Sequence, residues 1–216
     1  MTQDPYLRPS GVLQNAHDLD DAATLARLEA NAALHGAMVL FRRPGVVPTT
    51  WDLDHLRGIH RLLFGSIYPW AGELRTIDVV KGTTRFANAE YLEDAAADTF
   101  RRLLDPSIRL RARDRMAMVA RASALLAELN LLHPFREGNG RTQRAFLQLL
   151  VLEAGSVLRW DRITAEQNIT ASIHSVTDDD AFVDLFDQIL EPADGVEVPP
   201  LNPRRPEGTE PPGRSR

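Results

Sequence analysis

The sequence predicts an all-α protein carrying one small β-hairpin. Apolar residues recur every three to four positions through most of the 216 residues, the signature of amphipathic helices. One short stretch departs from that spacing: Ile77, Val79 and Val80 precede a Lys-Gly-Thr-Thr turn, and Arg85-Phe86 resumes an extended segment. From Glu191 onward neither pattern persists, and seven of the chain's 14 prolines crowd into the last 26 residues.

The totals narrow the class. A chain of this length can bury one core. The net charge of −5 argues against broad nucleic-acid binding, and the absence of cysteine excludes disulfides and thiolate metal sites. The start, MTQDPYLRPSG, shows no basic-then-apolar signal, and no apolar run approaches the ~18 residues of a membrane span. The expectation is a cytoplasmic protein with no membrane and no direct nucleic-acid partner.

Taken in order, residues 1–19 are rich in Pro and Gly and read as an irregular arm. A helix is expected from about Asp20 to Leu40, interrupted near Gly36. A second follows Thr49-Thr50 as capping residues, with Leu53, Leu56, Ile59, Leu62 and Leu63 on one face. The hairpin occupies about 76–87. Helix returns at Ala89 and ends near Asp105-Pro106. The run from Arg113 to Leu132 is apolar nearly all round, so it is the buried central helix. Another runs from Arg141 to Gly155, and two more span about 164–176 and 178–190, with Thr177 or Asp178 capping the last. The main domain is therefore 20–190, and 191–216 is a Pro-rich disordered tail.

Between the central helix and its successor lies NLLHPFREGNGRTQRAF. Pro134 forces His133 out of the helix, leaving its imidazole at the rim. Gly138 and Gly140 permit positive φ, so successive N–H groups can form an anion-binding nest. The next helix directs its N-terminal N–H groups at the same spot. Arg141 and Arg144 share one face of its first turn, and two guanidinium forks suit a di- or triphosphate. Glu137 inside an anion site calls for a cation, and Mg²⁺ commonly uses one carboxylate plus substrate phosphates. His133 can deprotonate an incoming hydroxyl. A His-Pro stop, a Gly-Asn-Gly turn and an arginine pair are each commonplace. Their convergence within twelve residues is not.

Those residues carry a resemblance. His133 to Arg144, HPFREGNGRTQR, matches the Fic-domain signature HPFx(D/E)GNGRxxR at every defined position, and YPWAGELRTIDVVKGTTRF resembles the family's flap segment. The resemblance covers roughly Asp4 to Leu190. It implies a Fic-type helical bundle with the motif loop 133–144 between two central helices and the hairpin as a flap over the site. It implies transfer of AMP from ATP to a Ser, Thr or Tyr hydroxyl of a target protein. Carried over by position, His133 is the base and Glu137 the Mg²⁺ ligand. Gly138, Asn139 and Gly140 form the anion hole, with Asn139 on the α-phosphate; Arg141 holds the β-phosphate region and Arg144 the γ-phosphate. Lys81, Gly82, Thr83, Thr84, Arg85 and Phe86 of the flap hold the target by main-chain pairing.

Gly140 favours nucleotidyl transfer, because relatives with Lys there act as kinases. Many relatives are inhibited by a helix bearing (S/T)xxxE(G/N). Here Glu is followed by Gly or Asn only at Glu137 and Glu207, with His133 and Pro203 four residues earlier, so neither fits. The resemblance then implies a toxin whose small antitoxin supplies the inhibitory Glu in trans, with a type II topoisomerase subunit such as DNA gyrase B among the targets. Two alternatives stay open: the same fold with another donor (UMP transfer), or a catalytically idle nucleotide-binding regulator. His17, His35, His55, His60 and His174 lack ligand spacing and are assigned to surface or packing. The basic run 101–115 alternates with acids and apolar residues and reads as a solvated face.

Overall fold

The computed structural model describes residues 4–43, 45–82, 84–104, 115–178 and 180–194. Thr83 of the hairpin turn, positions 105–114 of the basic run and the tail from 195 lie outside them. Among the described residues seven α-helices make the body: α1 (Ala22–Arg42), α2 (Leu53–Phe64), α3 (Leu92–Leu104), α4 (Arg115–Leu132), α5 (Asn139–Glu153), α6 (Ala165–His174) and α7 (Val183–Ile189). Two short antiparallel pairs complete it. Strand β1 (Val80–Lys81) faces β2 (Thr84–Arg85), and β3 (Ser156–Leu158) faces β4 (Leu190–Pro192).

The all-round apolar segment becomes the central helix. Met118, Val119, Ala122, Leu125, Leu126 and Leu129 of α4 are all buried, and α3, α5 and α7 pack around it. Phe146 of α5 is fully buried and meets Trp51 and Phe100 edge-on, which ties the start of α2 and the end of α3 to α5. A side chain of that size contributes about 1.5–3 kcal/mol on burial. Among the described residues no helix is long and apolar enough to cross a membrane.

Four local expectations change. α1 runs unbroken through Gly36, because the missing side chain lets α2 approach: a Cβ at Gly36 would stand 2.8 Å from both the Leu62 carbonyl oxygen and the Leu63 Cα. The cap of α2 is Asp52, which accepts the His55 N–H; Thr50 instead donates its hydroxyl to Asp52. A carboxylate offers the stronger acceptor to the helix N-terminus, and Thr50 orients it. α7 begins only at Val183, after Phe182, without a side-chain cap, since burial of Phe182, Leu185, Phe186 and Ile189 suffices to hold it. The assigned start of the tail falls inside β4, where Leu190 and Glu191 pair with Leu158 and Val157. Helical spacing could not reveal that two-stranded pairing, because three-residue strands leave no periodic trace.

The N-terminal arm is irregular and seated on the site's supporting loops. Asp4 receives two hydrogen bonds from Arg136, at 3.0 and 2.7 Å, while the Tyr6 hydroxyl accepts the Thr76 N–H at 3.0 Å.

Candidate active site

The site begins where α4 ends. The last carbonyls of a helix lack intrahelical partners, and here other elements supply them. Leu129 O accepts from the His133 N–H and from Gln143 Nε2 of α5, and Leu131 O accepts the Ala87 N–H at the foot of the hairpin. Asn130 O lies 3.3 Å from His133 Nδ1. A carbonyl can only accept, so Nδ1 carries the proton and the lone pair resides on Nε2. His133 Nε2 is buried and has no hydrogen-bond partner among the described residues. Burial, reinforced by Lys81, pushes the imidazole pKa down to about 3, so the ring is neutral. Pro134 does force His133 out of the helix, but into the left-handed region, with φ +43, instead of extended backbone. That turn lays the ring parallel to Phe86, with centroids 3.8 Å apart.

The following turn is built on Gly138. Its φ of +82 is a left-handed value that an L side chain adopts only with strain, and a Cβ there would stand 2.5 Å from the Phe64 ring. Gly138 caps α5, so the N–H groups of Asn139, Gly140 and Arg141 head the helix without intrahelical partners. Gly140 differs from expectation: it lies within α5 without positive φ, and its small size matters because a Cβ would stand 3.4 Å from Arg144 Nη1. Asn139 also differs. Its buried amide donates to Phe135 O at 2.7 Å and accepts the Phe135 N–H at 2.9 Å, closing the loop on itself. Directed into the loop, that side chain is unsuited to the α-phosphate role assigned to it; its backbone N–H still faces the helix terminus.

The two arginines have different surroundings. Arg141 pairs with Glu29 of α1, lies 3.8 Å from Glu137, and sits 4.8 Å from the centre of the Phe64 ring. Arg144 pairs with no carboxylate among the described residues and faces the Trp160 ring at 6.0 Å; burial and the neighbouring Arg141 lower its pKa. Glu137 accepts the Gly138 N–H at 3.0 Å, and Lys81 of the hairpin stands 3.8 Å from its other oxygen. Burial tends to raise the Glu137 pKa, but Lys81, the Gly138 N–H and Arg141 outweigh it and hold the carboxyl below its usual range. The structure thus brings His133, Glu137, Gly138, Arg141 and Lys81 together. Arg85 of the flap instead pairs with Asp78, and Phe86 stacks on the His133 ring.

Three supporting residues escaped the sequence reading. Glu29 sits on the buried stripe Leu25, Glu29, Ala33, Gly36, Leu40 of α1, and an acid on such a stripe was the available clue. His60 is buried in α2. It accepts the Gly72 N–H at Nδ1, so its Nε2–H donates to the Glu137 carbonyl at 2.9 Å, which fixes the loop bearing that carboxylate. Arg75 is 2 % exposed, and no local pattern marks it.

Comparisons with known proteins agree with this geometry. The Fic/DOC family model matches residues 50–151. A probable protein adenylyltransferase of Sinorhizobium fredii, y4lH, is 34% identical over 180 residues, covering 82% of this chain and 90% of its own. Protein adenylyltransferase VbhT of Bartonella schoenbuchensis is 39% identical over 175 residues; the match takes in 81% of this chain but 36% of VbhT. The N-terminal Fic domain of a Bartonella quintana effector, solved with bound ADP, superposes with a TM-score of 0.77 at 27% identity, covering 87% of this chain and 94% of that one. The chain has that helical architecture with its small antiparallel hairpin, and it belongs to the Fic/DOC family.

Proposed function

We propose that this chain is a protein adenylyltransferase that moves AMP from ATP to a Ser, Thr or Tyr hydroxyl of another protein. The observation that carries this reading is His133 Nε2: a neutral, buried ring nitrogen with no hydrogen-bond partner among the described residues, on the turn that leads into a glycine-capped helix bearing Arg141 and Arg144. Relatives named protein adenylyltransferases and an ADP-bound neighbour support the donor class.

In this reading Nε2 takes the proton of the target hydroxyl as its oxygen bonds to the α-phosphorus. The bond from that phosphorus to the bridging oxygen breaks, and pyrophosphate leaves with the electron pair. The free α5 N–H groups at Asn139 and Gly140 receive the developing oxyanion charge, and Gly138 shapes the turn that presents them. Arg141 and Arg144 bind the β- and γ-phosphate oxygens. Glu137 is suited to Mg²⁺, because its nearest cations stand at 3.8 Å, beyond hydrogen-bonding reach, and leave lone pairs for a metal. Magnesium there would neutralise phosphate charge and favour departure of pyrophosphate. The flap edge from Lys81 to Phe86, with Gly82 and Thr84 at its turn, would pair with an extended target segment.

The unpaired Arg144 supports a second part of the proposal. A partner's carboxylate would find there a guanidinium that pairs with no carboxylate among the described residues, which fits a small antitoxin acting in trans on a toxin. A topoisomerase subunit remains the candidate target that the resemblance names.

Incubation with α-labelled ATP, Mg²⁺ and cell lysate should label a protein, and His133→Ala should lower the rate by about 10³-fold. Equal labelling by that variant would reject the base. Label from UTP displacing that from ATP would change the donor, and growth arrest that survives His133→Ala would favour an idle regulator.

A further inference from the structure

We propose that Arg75 is a positioning residue that fixes the target-holding flap to the catalytic base; this rests on the adenylyltransferase reading above. Its guanidinium lies behind the site and grips carbonyls from three segments. Nε donates to His133 O at 2.8 Å, and one Nη donates to Ile77 O at 2.8 Å. The other Nη donates to Ala87 O and, at 3.4 Å, to Leu132 O. The backbone N–H of Arg75 takes Pro134 O at 2.9 Å.

Ile77 and Ala87 are the two feet of the hairpin, and Leu132 to Pro134 is the turn that presents the base. One planar fork therefore spans both. Among the described residues Arg75 makes no ion pair; carbonyl oxygens take its N–H groups, and the Asp78 carboxylate acts on its charge only from farther off. A lysine would keep the charge but replace the fork with a single point, which cannot reach carbonyls on both sides. The hairpin has other ties to the same turn: Ala87 N–H to Leu131 O, and Phe86 stacked on the His133 ring. Those ties act one bond or one ring at a time, whereas Arg75 joins both feet to the base's own carbonyl. The consequence is a fixed offset between the edge that would orient a hydroxyl and the nitrogen that would accept its proton.

Arg75 is named in none of the phosphate contacts proposed above, so its loss should separate chemistry from nucleotide binding. In Arg75→Lys, ATP affinity measured by calorimetry with Mg²⁺ should stay within about threefold of wild type. The rate of lysate labelling at saturating ATP should fall by about 100-fold, the scale of a misplacement near 1 Å. The upfield ring-current shift of the His133 ring protons, a product of the Phe86 stack, should shrink at the same time. Labelling within threefold of wild type, a parallel loss of ATP affinity, or an unchanged ring-current shift would each overturn the assignment. Hydrogen exchange on the wild-type chain decides the matter even if the variant misfolds. The Ala87 and His133 amides should share one protection factor within about tenfold, and an Ala87 amide that opens far more readily would overturn the coupling. If wild-type protein labels nothing, the adenylyltransferase reading fails, while the exchange and ring-current measurements still judge Arg75.

Discussion

The motif turn and the hairpin meet at the same site but are built by opposite means. From Leu129 to Pro134 the backbone carbonyls named above are all engaged, and His133, Phe135 and Asn139 are buried. The hairpin has strands of two residues, and Val80 is 58% exposed on one of them. Rigidity is thus concentrated at the turn that carries His133, while the hairpin leaves a short backbone edge exposed.

The contrast can be broken most severely at Gly138. Gly138→Ala adds a methyl where φ is +82 and Phe64 stands 2.5 Å away, and the penalty should reach about 3 kcal/mol or more. Denaturant unfolding would measure it, and nucleotide-induced stabilisation should vanish as well. A change below 1 kcal/mol would show that the turn is softer than its burial implies.

The next effect concerns a histidine with a purely structural place. His55 is buried, both its ring nitrogens lack hydrogen-bond partners among the described residues, and burial pushes its pKa down to about 4. The unfolded chain binds a proton there near pH 6.5 and the folded chain does not. Stability should therefore fall as pH drops from about 6.5 to about 4, by about 1.4 kcal/mol per pH unit from this group. Comparing melting temperatures of wild type and His55→Phe across that window checks the sign. The variant's curve should be flatter, and at pH 7 it should be at least as stable, since no hydrogen bond is lost.

A smaller effect sharpens the role of the motif arginines. Glu29→Gln removes the buried partner of Arg141, and stability should fall by about 1–2 kcal/mol. Added ATP should then stabilise the variant more than wild type, because a triphosphate offers the anion that Arg141 lacks. Equal thermal shifts would show that Arg141 does not meet the nucleotide.

The smallest effect belongs to the hairpin. Lys81→Ala severs only a loose, half-exposed pairing with Glu137, so the melting temperature should shift by the equivalent of less than about 0.5 kcal/mol. Any larger loss would show that the tip of the hairpin, like its feet, is held to the motif turn.

The helical bundle was legible because amphipathic spacing reports which face is buried, and the motif was legible because its chemistry is compressed into one loop. What escaped was whatever depends on a second segment. Arg75 carries no local signal until the end of α4 arrives behind it. Asn139 reads as an anion contact until Phe135 folds back onto its amide. Gly36 reads as a helix break until α2 is seen to need the space. In each case the local sequence states a capability, and the tertiary neighbour decides how it is used.

The space at Gly36 has one more consequence. Glu29 stands seven residues earlier on α1, about 10 Å along the helix axis. The depth to which α1 sinks against α2 therefore governs how closely that carboxylate approaches Arg141. A single absent methyl group thus serves as a spacer, adjusting from two turns away the electrostatic setting of Arg141.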